Sequence, residues 1–547
     1  METTGIKWWD RLLKHKVLLT LLICSLITFV CITINSKNSF LYKLQDCDDA
    51  QCFMTIARCM LRGDVLYKDV YEHKGIVLYF LYMIGHLIDS HSFIGVYLIE
   101  LVSFFVFIFF SVKTLRLFCK SDMAIFCFAG LIAIEATIGY EFRAGGQCEE
   151  FVLPLIAISL YLAFSQVISI KERDLSKYSI IIGLCFAAAF WMKYTLTGFY
   201  IGFALGVLII GVRNKDFRYV LKNGLYFLLG AIIGTLPVLL YFGLNNALYD
   251  LWDVYFYTML FKYGKSRSLG IVKIIKQFYI VLKKGYVAVP LILWIMIPKK
   301  QIALELKLMG LLMSFFTILG CASGVLQVYT YECFRYIAIF GYIGGICVAR
   351  HFVSEEMMEN KLALENKTRL DRFVIRLNKN VVEWKKEWEE DLKPRFQSLR
   401  FSAMVCLTGI AIFIFLVWFP SSFRMYMSYE LSDYPLYKMK EEITERVSDN
   451  PQILYFGCTD MGLFYLTDTY PMDKYFCAYT LYKPEDLDYY NKYIITGKAD
   501  FVASTRPQDK LSTYGYQLIY EELNAPFVSD GDMWSYCLYA RGDLVNK

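Results

Sequence analysis

Three aspartates, Asp46, Asp48 and Asp49, follow a long apolar N-terminal stretch and open the polar segment of residues 46–75. A carboxylate in such a place can take a proton from an attacking hydroxyl group and so act as a general base. A group of carboxylates can also hold a divalent cation, and a solvated loop would have the same composition. The cluster therefore predicts general-base chemistry or metal binding at a membrane surface, with a solvated loop as the alternative.

The rest of this segment must position the aspartates. Residues 57–63 predict a short helix that Gly63 ends, because glycine commonly follows the last helical turn. Residues 67–75 include Tyr67, Asp69, His73 and Lys74, and they predict a turn that leads the chain back towards the membrane.

The spacing resembles the first external loop of the GT-C glycosyltransferases, which are polytopic membrane enzymes. This superfamily includes protein O-mannosyltransferases and lipid A aminoarabinose transferases. Bacterial members have the order Asp, Phe, Gly, Tyr-x-Asp and His-Lys-Gly-Pro, and the matching residues here are Asp49, Phe53, Gly63, Tyr67, Asp69, His73, Lys74 and Gly75. Ile76 stands where the family usually has proline. A looser match covers residues 145–150 and Pro154.

Composition identifies the class of protein independently. The chain has 547 residues, of which 57% are hydrophobic and 17% are aromatic. A soluble domain of this length cannot hide so much apolar surface, so the sequence predicts an integral membrane protein. The net charge of +6 fits basic cytoplasmic loops and gives no reason to expect a nucleic-acid partner. The 16 cysteines lack metal-type pairing, and we interpret most of them as small buried hydrophobic residues.

Charge asymmetry predicts the orientation of the chain. Lys7, Arg11, Lys14 and Lys16 precede the apolar run 17–34, so the N-terminus is expected in the cytoplasm and the loop 35–75 outside. Residues 76–88 are few for a crossing, and we interpret them as an external segment that dips into the membrane. Ten more apolar runs bring the prediction to about eleven crossings, at 93–112, 122–140, 151–168, 178–193, 195–212, 223–243, 284–297, 303–320, 334–349 and 402–420.

The predicted fold class is an α-helical polytopic membrane protein with a small C-terminal extracytoplasmic α/β domain. Residues 1–349 form the expected GT-C-type catalytic module, and residues 350–400 form a charged, helical cytoplasmic insertion. Residues 401–420 are the last crossing, and residues 421–547 are the external domain. In that domain, 453–456, 501–504 and 517–520 predict strands, while 461–466 and 485–493 predict helices.

Ionisable residues near the ends of the predicted spans all fall on the outer side of the membrane. Charge inside a bilayer is costly, so these side chains are expected to line an external cavity near Asp49. Pairing for purely structural reasons is the alternative. The residues concerned are Glu100, Glu135, Arg143, Glu149, Glu150, Lys193, Glu332 and Arg335.

The resemblance implies a polyprenyl-phosphate-linked sugar as donor and inversion at the anomeric carbon. It implies Asp49 as the general base, with Asp48 next, and Tyr67, Asp69, His73 and Lys74 as further site residues. Location alone suggests that Arg143, Lys193 and Arg335 contact the donor phosphate, and that Glu100, Glu135, Glu149 and Glu150 contribute to substrate binding. The loop is more similar to those of metal-independent members, so no cofactor is expected, although Asp46 and Asp48 leave a divalent metal open.

The function predicted is therefore transfer of a hexosyl or pentosyl group from a lipid-phosphate donor to a cell-envelope glycan, lipid or protein. The expected location is the outer face of a bacterial cell membrane. The alternative is a transporter or flippase, or a non-catalytic binding protein, for lipid-linked sugars. A transporter is expected to have midplane charges and two related halves, and the sequence has neither. A turnover assay with lipid-linked sugars separates the two hypotheses.

Overall fold

The structure is a computed structural model of the whole chain. It describes residues 16–138, 142, 145–170, 172–262, 271–284, 287–323, 335–352, 424–476, 492–523 and 535–546.

Four N-terminal helices carry and surround the polar segment. They are α1 (Lys16–Asn35), α2 (Asp48–Arg62), α3 (Ile76–Ile88) and α4 (Ile94–Arg116). Helix α2 begins with Asp48 and Asp49, whose carboxylates suit the positive end of the helix dipole. It ends at Gly63, which has a φ of 109° and closes the helix as the sequence predicts. The predicted helix 57–63 is too short, because residues 50–60 are all buried and extend the helix back to Asp48.

The remaining helices complete a multi-pass membrane bundle. A 3₁₀ turn at Tyr194–Thr197 leads into α8, and a π-helical stretch at Trp252–Lys262 follows α10. The helices are α5 (Asp122–Ile138), α6 (Cys148–Ile168), α7 (Tyr178–Phe190), α8 (Gly198–Asn214), α9 (Phe217–Leu244), α10 (Leu248–Leu251), α11 (Ile271–Lys284), α12 (Ala288–Met296), α13 (Leu304–Ser323) and α14 (Ala338–Phe352).

Within the described residues, six helices are long and apolar enough to cross a membrane. A seventh is added if α11 and α12, which meet at 80°, form one broken span. Three apolar helices are shorter, namely Ile76–Ile88, Tyr178–Phe190 and Arg335–Cys347. The eleven crossings and the orientation of the termini stay predictions. The crossing at 402–420 and the insertion after residue 352 lie outside the described residues.

A four-stranded sheet forms the centre of the C-terminal region. Its strands are β1 (Ile453–Tyr455), β2 (Phe501–Ser504), β3 (Tyr516–Leu523) and β4 (Ser535–Arg541), in the order β1-β2-β4-β3. Strands β1 and β2 are parallel, and β4 is antiparallel to both β2 and β3. Helices α15 (Pro435–Arg446), α16 (Leu463–Leu466) and α17 (Lys510–Thr513) belong to the same region.

Three strands of this sheet were predicted and the fourth was not. Strand β4 reads SYCLYAR, which contains no β-branched residue and no regular alternation of apolar and polar residues. Its strand conformation is stabilised by pairing with β3, the strand before it in the chain, and with β2. Most of the predicted helix at 485–493 lies outside the described residues.

Candidate active site

Asp49 lies in the first turn of α2. Among the carboxylates of the candidate site that pair with a cation, its side chain is the most exposed. Asp49 Oδ1 lies 3.1 Å from Lys74 Nζ, and 34% of the Asp49 side chain remains exposed. Asp48, one residue earlier, accepts a hydrogen bond from the Asp49 backbone N–H at 2.9 Å. Asp49 is therefore both held by a cation and accessible to a reactant.

The ammonium group of Lys74 lies in a pocket of aromatic and acidic groups. It lies 4.3 Å from the centre of the Phe53 ring and 3.9 Å from Glu72 Oε1. Burial lowers the pKa of Lys74, but the carboxylates of Asp49 and Glu72 outweigh burial and hold the pKa well above its ordinary value. Lys74 therefore stays positively charged beside Asp49 at neutral pH.

Glu72 lies in the same loop, and the sequence did not predict it as a site residue. It is buried, and its Oε2 accepts hydrogen bonds from both the Tyr79 hydroxyl and the Lys74 backbone N–H. His73 Nδ1 lies 2.8 Å from its other oxygen. Burial raises the pKa of Glu72, but His73, Lys74 and Tyr79 together leave it well below its usual range. An acidic residue directly before the His-Lys-Gly run was the available signal.

The turn that carries Lys74 is fixed by contacts with α9 and with the residues that follow α7. Tyr67 has a φ of 69° and is fully buried, and its hydroxyl donates a 2.5 Å hydrogen bond to the Lys74 carbonyl. Its ring stacks on Phe242 with 5.4 Å between centroids.

The Gly75 N–H donates to the Met192 carbonyl at 3.0 Å. A Cβ on Gly75 would lie 1.9 Å from the Trp191 carbonyl oxygen, so only glycine allows this approach.

Two other residues of the predicted motif have local roles in the structure. Asp69 is exposed and accepts a hydrogen bond from the Val65 N–H at 2.8 Å, which closes the turn that contains Tyr67. His73 is next to Glu72, as described above, and on the same turn as Lys74. Tyr67, His73 and Lys74 therefore come together, while Asp69 lies at the exposed side of the turn.

A second lysine–carboxylate pair lies beside the first. Lys193 Nζ is 2.6 Å from Glu149 Oε1, and the Glu149 side chain is only 3% exposed while that of Lys193 is 25% exposed. Lys74 and Lys193 are close enough to interact electrostatically, and both also interact electrostatically with Cys148. The loop that follows α7 and the start of α6 thus bring a second positive charge close to Lys74.

Glu100 and Glu150 form a deeper acidic group. Glu100 Oε2 accepts a 2.7 Å hydrogen bond from Ser36, and Glu150 Oε2 accepts one from the Gly146 N–H at 2.9 Å. The charges of Glu100, Glu150 and Asp49 all act on the hydroxyl of Tyr82. These two glutamates from α4 and α6 therefore lie on the Asp49 side of the bundle.

The other predicted charges pair elsewhere or lie outside the described residues. Glu135 in α5 is in electrostatic range of Arg335, which precedes α14. Arg143 and Glu332 lie outside the described residues, so the structure does not place them.

Asp46 is part of a separate buried pair. It forms an ion pair with Lys37, whose ammonium group lies 4.0 Å from the centre of the Tyr426 ring. Within the described part of the chain, no group of three or more His, Cys, Asp or Glu side chains has the arrangement of a metal site.

Comparisons with known proteins address the fold. No protein-family model and no curated protein sequence matches the chain. The crystal structure of ArnT from Cupriavidus metallidurans in the apo state aligns with 97% of this chain and 99% of that chain, with a TM-score of 0.59 and 11% identity. The structure of ArnT bound to undecaprenyl phosphate aligns with 95% of this chain and 97% of that chain, with a TM-score of 0.55 and 11% identity. The chain therefore shares the fold of these ArnT structures, and the predicted resemblance is confirmed at the level of the fold.

Proposed function

We propose that the protein is a glycosyltransferase that moves a sugar from a polyprenyl-phosphate-linked donor to a cell-envelope acceptor on the outer face of a bacterial membrane. In this proposal residues 1–349, with the loop 35–75, form the catalytic module, and residues 421–547 form an external domain. The fold shared with ArnT, which was crystallised with undecaprenyl phosphate, supports this class of donor.

One observation carries the proposal. Asp49 is accessible and lies 3.1 Å from Lys74, which itself stays charged. A general base needs an ionised carboxylate that a substrate hydroxyl can reach, and a neighbouring cation favours the ionised form. We therefore assign Asp49 as the base, while Asp48, whose two oxygens accept from the Asp49 N–H and from Thr459, is the second candidate.

The reaction is an inverting displacement at the anomeric carbon. The acceptor hydroxyl loses its proton to Asp49, and its oxygen forms a bond to the anomeric carbon. The bond from that carbon to the phosphate oxygen breaks, and the electron pair stays with the polyprenyl phosphate. The added negative charge on the phosphate is stabilised by nearby cations, for which Lys193 and Lys74 are the adjacent pair.

Further contacts with substrates are assigned by position. Arg335 and Arg143 remain candidates for phosphate contact, and Glu100, Glu135, Glu149 and Glu150 remain candidates for sugar or acceptor contact. Tyr67, Asp69 and His73 belong to the turn that carries Lys74. No metal is required in this scheme, and addition of Mg²⁺ or Mn²⁺ to the assay tests that point.

The experiment is a turnover assay on the full chain in lipid nanodiscs with a panel of polyprenyl-phosphate sugars. The wild type is expected to release polyprenyl phosphate and to form a glycosylated acceptor, and Asp49→Asn is expected to do neither. Asp449→Asn is the matched control, because Asp449 is an exposed aspartate of the external domain. Movement of intact lipid-linked sugar across the bilayer without turnover would instead support the flippase alternative.

A further inference from the structure

Helix α2 presents two different faces to two different parts of the protein. One face carries Asp49 and Phe53, four residues apart, and both contact Lys74. The residues of the second face are spaced three and four positions apart, which puts them in one row along the helix. They are Asp48, Gln51, Thr55, Arg58 and Arg62. The orientation of Asp49 is therefore tied to whatever holds the second face.

The C-terminal region covers that second face from end to end. The Thr459 hydroxyl donates to Asp48 Oδ2 at 3.2 Å, and the buried Asp460 accepts a hydrogen bond from the Thr55 hydroxyl. Gly462 has a φ of 113°, and a Cβ there would lie 2.7 Å from the Gln51 side chain. The loop after β1 thus follows the first two turns of α2 at contact distance.

The far end of the same face is held by a buried arginine. Arg58 donates to the carbonyls of Phe464 and Thr469 at 3.0 and 3.2 Å, and it lies 2.6 Å from Asp468. The Arg62 guanidinium lies 4.2 Å from the centre of the Tyr470 ring. These bonds join residues about four hundred positions apart, so they are contacts between the external domain and the loop rather than local helix contacts.

We propose that residues 459–470 of the external domain set the orientation of the Asp48–Asp49 turn, and that Thr459 is a positioning residue for the base. This inference rests on the proposed function in so far as Asp49 is the base. Thr459 fixes Asp48 Oδ2, the other oxygen of Asp48 accepts from the Asp49 N–H, and Asp49 is thereby directed to Lys74. Thr459 itself has no group that could act as the base at neutral pH.

Steady-state kinetics of the full chain test the positioning role. Thr459→Val keeps the shape and removes the hydroxyl, and we expect kcat to fall about tenfold, because small misplacement of a catalytic group is costly. The KM for the lipid-linked donor should stay within about twofold, since binding is not altered. Thr459→Ser restores the hydroxyl and should recover most of kcat. Thr513→Val, at an exposed position of α17, is the control.

A second measurement does not depend on activity. Hydrogen exchange of peptides that cover the first turn of α2 should be about threefold faster or more in Thr459→Val than in wild type, because a tether of that turn is lost. Thr513→Val should leave it unchanged. Unchanged exchange in Thr459→Val, a loss confined to KM, or an equal loss in Thr459→Ser would overturn the inference. Failure of the wild type to turn over any donor would instead refute the proposed function, and hydrogen exchange would then decide the positioning role alone.

Discussion

The two lysine–carboxylate pairs of the candidate site contain the same chemical groups but expose opposite members. In the first pair Asp49 is 34% exposed and Lys74 is 12% exposed. In the second pair Glu149 is 3% exposed and Lys193 is 25% exposed. The more exposed member is thus the carboxylate in the first pair and the ammonium group in the second pair.

This difference suggests a division of roles. A base must be reached by the acceptor, whereas a phosphate must be reached by a cation. A buried partner in each pair fixes the exposed group through an ion pair, as Lys74 does for Asp49 and Glu149 does for Lys193. In the proposed function, the same ion-pair chemistry therefore serves two different roles, depending on which member the fold buries.

The largest expected effect separates the two carboxylates. Asp49→Asn should lower kcat by about 10² to 10⁴-fold, because general-base catalysis contributes that much, with little change in thermal stability. Glu149→Gln should instead destabilise the protein by about 2 kcal/mol, since Lys193 loses its charged partner. Turnover and thermal unfolding of both variants are measured side by side. Similar kinetic losses in both variants would show that the two carboxylates do not differ in role.

The next effect separates the two lysines. Lys193→Met should weaken binding of undecaprenyl phosphate about tenfold, because a charge-assisted phosphate contact is lost. Lys74→Met should mainly lower kcat, by about 10- to 100-fold, since Asp49 loses the cation that orients it. Binding is measured by titration of the lipid in nanodiscs, and kcat by turnover at saturating donor. Stronger loss of lipid binding in Lys74→Met than in Lys193→Met would reverse the assignment.

How far the sequence predicts this site depends on the distance between the partners along the chain. Asp49 and Lys74 are 25 positions apart in one loop whose motif could be recognised, and both were singled out as site residues. Lys193 and Glu149 were both named, but 44 positions separate them and no local pattern predicts their pairing. Thr459 meets Asp48 across 411 positions, and it was not predicted at all.

Prediction of the fold from the sequence is limited in the same way, because it succeeds where the signal is local. Apolar runs long enough for a membrane predict most helices, because length and composition are local properties. The start of α2 contacts the distant C-terminal region, and strand β4 depends on pairing with two other strands, and both were missed. Glu72 is a similar case, since an acidic residue in a polar loop is usually solvated, and only the fold places it beneath Tyr79.

The stability of the Lys74 turn should depend on pH in a direction set by its buried groups. The pKa of Glu72 is below its unfolded value of about 4.3, so its stabilising contribution is present above that pH and is lost as the pH falls through the folded pKa. The pKa of Lys74 is above its unfolded value of about 10.4, so its contribution is complete below that pH and is lost as the pH rises through the folded pKa. This turn should be most stable between about pH 5 and pH 10.

Glu72→Gln tests the acidic side of this range. The variant should unfold at lower temperature than wild type at pH 7, and the gap should narrow below about pH 4, because Glu72 of the wild type is still ionised in the folded protein there but takes up a proton on unfolding. Thermal unfolding is measured from pH 3 to pH 9 in nanodiscs. Glu441→Gln, at an exposed position of α15, is the control and should follow the wild type. A gap that is constant with pH would contradict the role of the ionised Glu72.

The smallest expected effect comes from a single hydroxyl of the same turn. Tyr67→Phe keeps the ring that stacks on Phe242 but removes the hydrogen bond to the Lys74 carbonyl. The loss should be about 1 kcal/mol of stability, which is typical for one hydrogen bond, together with a fall in kcat of a few-fold as Lys74 becomes less well fixed. Lipid binding should change less than kcat, because in this scheme Lys193 makes the main phosphate contact. Tyr249→Phe is the matched control, since the Tyr249 side chain is exposed. If Tyr67→Phe weakened lipid binding and left kcat intact, the turn would serve the donor phosphate rather than the base, and the roles of the two lysines would have to be exchanged.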